Sequence, residues 1–77
     1  MHELETHTIN RFIELRKQTG LSRIQFGAML GMTYANVYNI ETGKHLPTLV
    51  TVGQLCKVYN ITPSEFFSEN PIRIKKN

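Results

Sequence analysis

A single cysteine, Cys56, leaves no possibility of an intrachain disulfide. Metal-ligand spacing is missing too: His2, His7 and His45 fall at the N-terminus or on expected loops, with no acidic or cysteine partner at a useful interval. No apolar run approaches the roughly 18 residues that a membrane span requires. The charged and apolar regions of a secretory leader are also lacking. These absences predict a soluble, cytoplasmic chain without metal or cofactor. They weigh against an enzyme as well, because no nucleophile, base and orienting group can be assembled from Cys56, Ser22, Ser64 and the scattered histidines.

Strong charge of one sign is the next absence. Nine basic residues face six acidic ones, a formal net charge of +3, and three of the nine (Arg73, Lys75, Lys76) sit at the C-terminal end. That balance permits an anionic partner without requiring one. With 77 residues the chain makes one domain. A domain of this size buries only about 60% of the surface its unfolded chain exposes, so its margin of stability is thin.

What the chain has in abundance is helix signals, while strand patterns are scarce. The first segment, from Thr8 to Thr19, carries Ile9, Phe12, Leu15 and Arg16 on one face and stops at Gly20. In the second, Ser22 and Gln25 have the spacing of a capping box, Leu21 and Phe26 that of a hydrophobic staple, and Gly31 follows Leu30 as the stop. Thr33 caps a third segment, with Met32 and Val37 as its staple and Gly43 after Thr42. The fourth runs from Pro47-Thr48 to Tyr59 with Leu49, Val52, Leu55, Cys56 and Tyr59 on one face; Gly53 inside it suggests close approach of a neighbouring helix. The fifth, Pro63 to Ser68, has Thr62 as cap, proline at its first position and Glu65 three residues after the cap. The division is thus an all-α domain over 8–69, an N-terminal extension over 1–7 and a basic tail over 70–77. After Pro71 the tail frays, or forms an extended segment in a dimer. Phe12, Phe26, Leu30, Leu55 and Phe66 are core candidates, Met29 and Met32 fill gaps, Cys56 is a small buried hydrophobe, and Glu14 and Lys57 are solvated surface.

Two short helices joined by a turn at Gly31-Met32-Thr33 meet the requirements of a helix-turn-helix. Gly27 stands where the second helix must let the third cross closely, and Gly31 tolerates the positive φ of the turn. On a helical wheel, Val37 and Ile40 define the buried side of the third helix. Ala35, Tyr38, Asn39 and Thr42 gather opposite, with Tyr34 at the edge. An ordinary solvated face carries Lys and Glu; this one is uncharged and rich in hydrogen-bonding groups. Such side chains read base edges in the major groove: Asn pairs two-pronged with adenine, and alanine or an aromatic touches the thymine methyl.

The pattern Leu21-Ser22, Phe26-Gly27, Leu30-Gly31, Val37, Ile40-Glu41, Gly43-Lys44 and Pro47 continues through Leu49, Val52, Leu55 and Ile61 to Glu65-Phe66-Phe67. It resembles the Cro/CI-type (XRE) helix-turn-helix family of phage-repressor-like proteins and spans residues 9–67 without a gap. The resemblance implies a compact five-helix, lambda-repressor-like domain that binds double-stranded DNA as a small transcriptional repressor. It places Tyr34, Ala35 and Asn39 where family members contact bases, with Tyr38 nearby, and assigns phosphate contacts to Arg23, Asn36, Lys44 and His45. It also implies an Arg16–Glu41 bridge that orients the reading helix; the competing reading sends Arg16 outward to phosphate. Two departures stand out. Arg23 replaces a frequent glutamine, and the third helix has no basic residue, so phosphate attraction falls to the flanking segments. The expected partner is a palindromic operator bound by a homodimer through the fifth helix, Phe67 and the tail. The alternative is a protein-interaction module that keeps the fold without DNA.

Overall fold

The computed structural model of the protein describes residues 3–74. Five helices follow one another: α1 (Glu3–Thr19), α2 (Arg23–Leu30), α3 (Tyr34–Glu41), α4 (Leu49–Tyr59) and α5 (Pro63–Phe67). No strand occurs among the described residues. His2, Lys75 and Lys76, named in the sequence reading, lie outside them.

Local chemistry explains most of the boundaries. Ser22 and Thr62 each accept a hydrogen bond from the backbone N–H three residues on, and Gln25 and Glu65 reach back to the cap N–H, two complete capping boxes. Thr33 and Thr48 cap α3 and α4 through their side chains. Asn60 ends α4 in the left-handed region, a conformation asparagine tolerates better than most residues.

One boundary differs from expectation. α1 begins at Glu3, so residues 3–7 continue the helix instead of forming a separate extension. Glu3 and Glu5 in its first turn complement the positive end of the helix dipole. Thr8, the expected start of the first segment, lies inside the helix and donates its hydroxyl to the Leu4 carbonyl at 2.7 Å.

The core gathers Phe12 and Leu15 from α1, Phe26 and Leu30 from α2, Val37 and Ile40 from α3, Val52, Leu55 and Cys56 from α4, with Ile61 and Phe66. Phe12 meets Phe26 edge-on at 5.4 Å between ring centroids, and Tyr59 stacks on Phe26 at 5.7 Å. Such ring pairs add about 0.5–1.5 kcal/mol beyond burial. Burial pushes the Cys56 thiol up from its ordinary pKa, with the charge of Glu65 adding to the shift, so the sulfur is held as an unreactive thiol.

Four expectations are corrected. Leu49 is 85% exposed and does not join Val52, Leu55 and Cys56 in the core. Gly53 has no neighbour within 4 Å of where a Cβ would stand, so no helix approaches it. The tail does not fray directly after Pro71. Ile72 is only 2% exposed, its N–H donates to the Glu14 carboxylate at 2.9 Å, and the Gln18 side-chain amide donates to its carbonyl. Glu14 is therefore an anchor and not idle surface. It also accepts from Arg11 at 3.0 Å. Arg11, on the buried side of α1, donates to the carbonyls of Phe66 and Glu65 at 2.6 and 2.8 Å. These are end-of-helix carbonyls that α5 cannot satisfy internally.

Candidate nucleic-acid interface

The elbow between α2 and α3 depends on two glycines. At Gly27 a Cβ would stand 2.6 Å from the Met32 carbonyl oxygen and 3.2 Å from Val37 Cγ2, so only glycine lets the turn and α3 come this close. Gly31 has φ 69°, and the chain closes by a hydrogen bond from Met32 N–H to the Gly27 carbonyl at 2.8 Å. Val37 and Ile40 then point into the core, and this fixes which side of α3 faces out.

On the outer side stand Tyr34, 48% exposed, Tyr38, 39% exposed, and Ala35. Asn39 is half-buried on the flank, and its backbone carbonyl accepts from the N–H groups of Lys44 and His45 at 2.8 and 3.1 Å. That double bond to one carbonyl folds the loop after α3 back beside the helix. Thr42 is exposed, but its hydroxyl donates to the Tyr38 carbonyl at 2.9 Å and is committed to its own helix.

The two tyrosines stack, with ring centroids 6.0 Å apart and planes 20° from parallel. Two cations border them. The Arg23 guanidinium carbon lies 5.5 Å from the Tyr38 centroid and the Lys44 ammonium 5.9 Å from it. α3 itself has no Lys or Arg, yet its outer face carries positive charge supplied by α2 and by the following loop. Asn36, Lys44 and His45 share the rim of an open depression that also includes Gly43, Leu46 and Thr48. Arg23 is apart from that rim and belongs with the tyrosines.

Behind the face, one carboxylate joins three helices. Arg16 of α1 donates to Glu41 from Nε at 2.6 Å and from Nη2 at 3.1 Å, and Arg23 of α2 donates from Nε at 2.8 Å. Arg16 also donates to the Leu21 carbonyl at 3.2 Å, so it is turned inward. The Glu41 side chain is 3% exposed. Burial pushes its carboxyl up, but the hydrogen bonds and charges of Arg16 and Arg23 outweigh burial and hold it below the ordinary range. The link from Arg23 to Glu41 and Tyr38 has no signal in the sequence, where the family resemblance implies a phosphate contact for Arg23. A wheel drawn for one helix cannot show a side chain arriving from another.

Residues 12–66 match the helix-turn-helix family model. The chain is 41% identical over 59 residues to the HTH-type transcriptional regulator PuuR of Escherichia coli (strain K12) and to that of Shigella flexneri. This covers 77% of the chain but 32% of each regulator, so the chain spans about a third of their length. It is 31% identical over 58 residues to the uncharacterized HTH-type transcriptional regulator YgzD of Bacillus subtilis (strain 168), covering 75% of the chain and 88% of that protein. No solved structure is a significant match. Among the described residues no helix is long and apolar enough to cross a membrane. The chain belongs to the Cro/CI-type (XRE) helix-turn-helix family of DNA-binding transcriptional regulators, a non-enzymatic family.

Proposed function

We propose that the protein is a cytoplasmic repressor that binds a palindromic operator as a homodimer, with α3 in the major groove. The observation that carries this reading is the outward face of α3, where exposed Tyr34, Ala35 and Tyr38 sit between the Arg23 and Lys44 cations while Val37 and Ile40 hold the helix from behind. In this reading Tyr34, Ala35, Tyr38 and Asn39 contact bases. Asn36, Lys44 and His45, together on one rim, contact the phosphates beside them. The Arg16–Glu41 pair touches no DNA and sets the angle of α3.

The molecule measures 33 × 27 × 21 Å, so two copies side by side fit half-sites one helical turn, about 34 Å, apart. For the second copy, a groove lined by Leu4, Leu46, Pro47, Leu49 and Phe67 offers an apolar surface next to the loop that follows α3. Phe67 is common to this groove and the surface expected from the sequence, while the tail is left out because Ile72 is committed to α1.

A gel shift on the DNA upstream of the protein's own coding sequence tests the reading. A complex is expected whose affinity falls steeply with salt, since each neutralised phosphate releases counterions. Leu49→Glu, at an exposed position, should leave the fold intact and abolish the two-copy complex. Absence of any salt-sensitive complex would favour the interaction-module alternative.

A further inference from the structure

We infer that Arg23 reads a guanine base and does not serve as a phosphate contact, with Glu41 and Tyr38 holding it in position; this rests on the DNA-binding reading above. Two groups fix Arg23, and both belong to α3. Its Nε donates to Glu41 Oε1 at 2.8 Å. Its guanidinium lies against the Tyr38 ring, 5.5 Å from the centroid. The hydrogen bond to Glu41 and the neighbouring Tyr34 hydroxyl also keep the guanidinium firmly protonated. Arg23 thus stands on α2 by sequence but on the outer face of α3 by geometry.

The chemistry of that face gives it a task. Tyr34, Ala35, Tyr38 and Asn39 supply apolar contact, hydroxyls and one carboxamide suited to adenine. None of them offers the charged two-donor fork that pairs with O6 and N7 of guanine, and an arginine fork does. The terminal nitrogens of a guanidinium anchored through Nε are the ones such pairing uses. Arg16 already matches the charge of Glu41, so the Arg16–Glu41–Arg23 cluster keeps one net positive charge at its outer end. A phosphate contact, by contrast, calls for a side chain free to swing to the backbone, and the Nε of Arg23 is tied to Glu41.

Selection of bound sequences from random duplex DNA tests this with the full chain and with Arg23→Lys and Arg23→Gln, each checked for fold by circular dichroism. The expected result is one strongly preferred guanine per half-site for the native chain. Arg23→Gln should lose that preference and Arg23→Lys should weaken it, and both should retain the rest of the site. Replacing that guanine by 7-deazaguanine should weaken native binding by about five- to a hundredfold and leave Arg23→Gln unaffected. If both variants select the unchanged site and bind every sequence more weakly by one factor, Arg23 is a phosphate contact and the inference falls. If the native chain enriches no sequence at all, the DNA-binding reading fails first and takes this inference with it.

Discussion

Arg11 and Arg16 both leave α1 toward the interior, and they are satisfied in opposite ways. Arg16 meets a charge: Glu41 of α3, in a two-pronged pair that Arg23 joins from α2. Arg11 meets mostly backbone, the last carbonyls of α5, with Glu14 at its outer edge. The first cluster fixes α3, the helix proposed to face DNA. The second closes off a helix of five residues, too short to stand without outside hydrogen bonds, and anchors the C-terminal segment through Glu14 and Ile72. Electrostatics therefore orient the functional half of the molecule, while hydrogen bonds to the main chain fasten the other half.

The largest effect should come from breaking the charged cluster. Glu41→Ala leaves Arg16 mostly buried without its counter-charge and should cost about 3–5 kcal/mol in urea unfolding. The same cluster is sensitive to acid. Glu41 has a folded pKa below its unfolded value, which is about 4.3. Its contribution is complete above that unfolded value and is lost as pH falls through the lower folded one. The stability difference between the native chain and Glu41→Gln should accordingly shrink as pH drops below about 4. A difference that stays constant to pH 2 would mean that the Glu41 charge contributes nothing.

Arg11→Met should have the second-largest effect. It removes the side-chain donor of the Phe66 carbonyl and leaves the Glu65 carbonyl with the Ser68 hydroxyl alone, a cost of about 1–3 kcal/mol, and it should carry little pH dependence. Amide exchange should rise in α5 and near Ile72 while α3 keeps its protection, and DNA affinity of the folded protein should hold. Equal loss of protection in α3 would show that the two clusters are one cooperative unit.

The contrast between the clusters also explains what could be read from the sequence. Capping boxes at Ser22–Gln25 and Thr62–Glu65 are written within four residues, and the elbow glycines within one turn, so helix order and the outer face of α3 were legible. The Arg16–Glu41 pair came through resemblance to a family. The role of Arg11 had no such signal, because its partners are backbone carbonyls 54 and 55 residues away. Ile72 was hidden for the same reason: its backbone is held by side chains of α1, and a segment that follows a proline near the end of the chain looks free. Leu49 has the right phase for the core face of α4, but phase cannot show where a core ends. Gly27 and Gly53 look alike in sequence, yet only Gly27 has a neighbour pressed against it. The smallest predicted effect belongs to the Gly53 member of that pair. Gly53→Ala should stabilise the protein by about 1 kcal/mol through helix propensity, whereas Gly27→Ala should destabilise it, both read by thermal unfolding.

The account depends on the division of labour between the outer side of α3 and the loop beside it. Binding-site selection with Asn39→Ala and Lys44→Ala tests it most directly. Asn39→Ala should change the preferred base at one position, and Lys44→Ala should weaken all sequences alike and lower the salt dependence. If both variants bind the native site with native affinity, the face assigned to DNA is the wrong one.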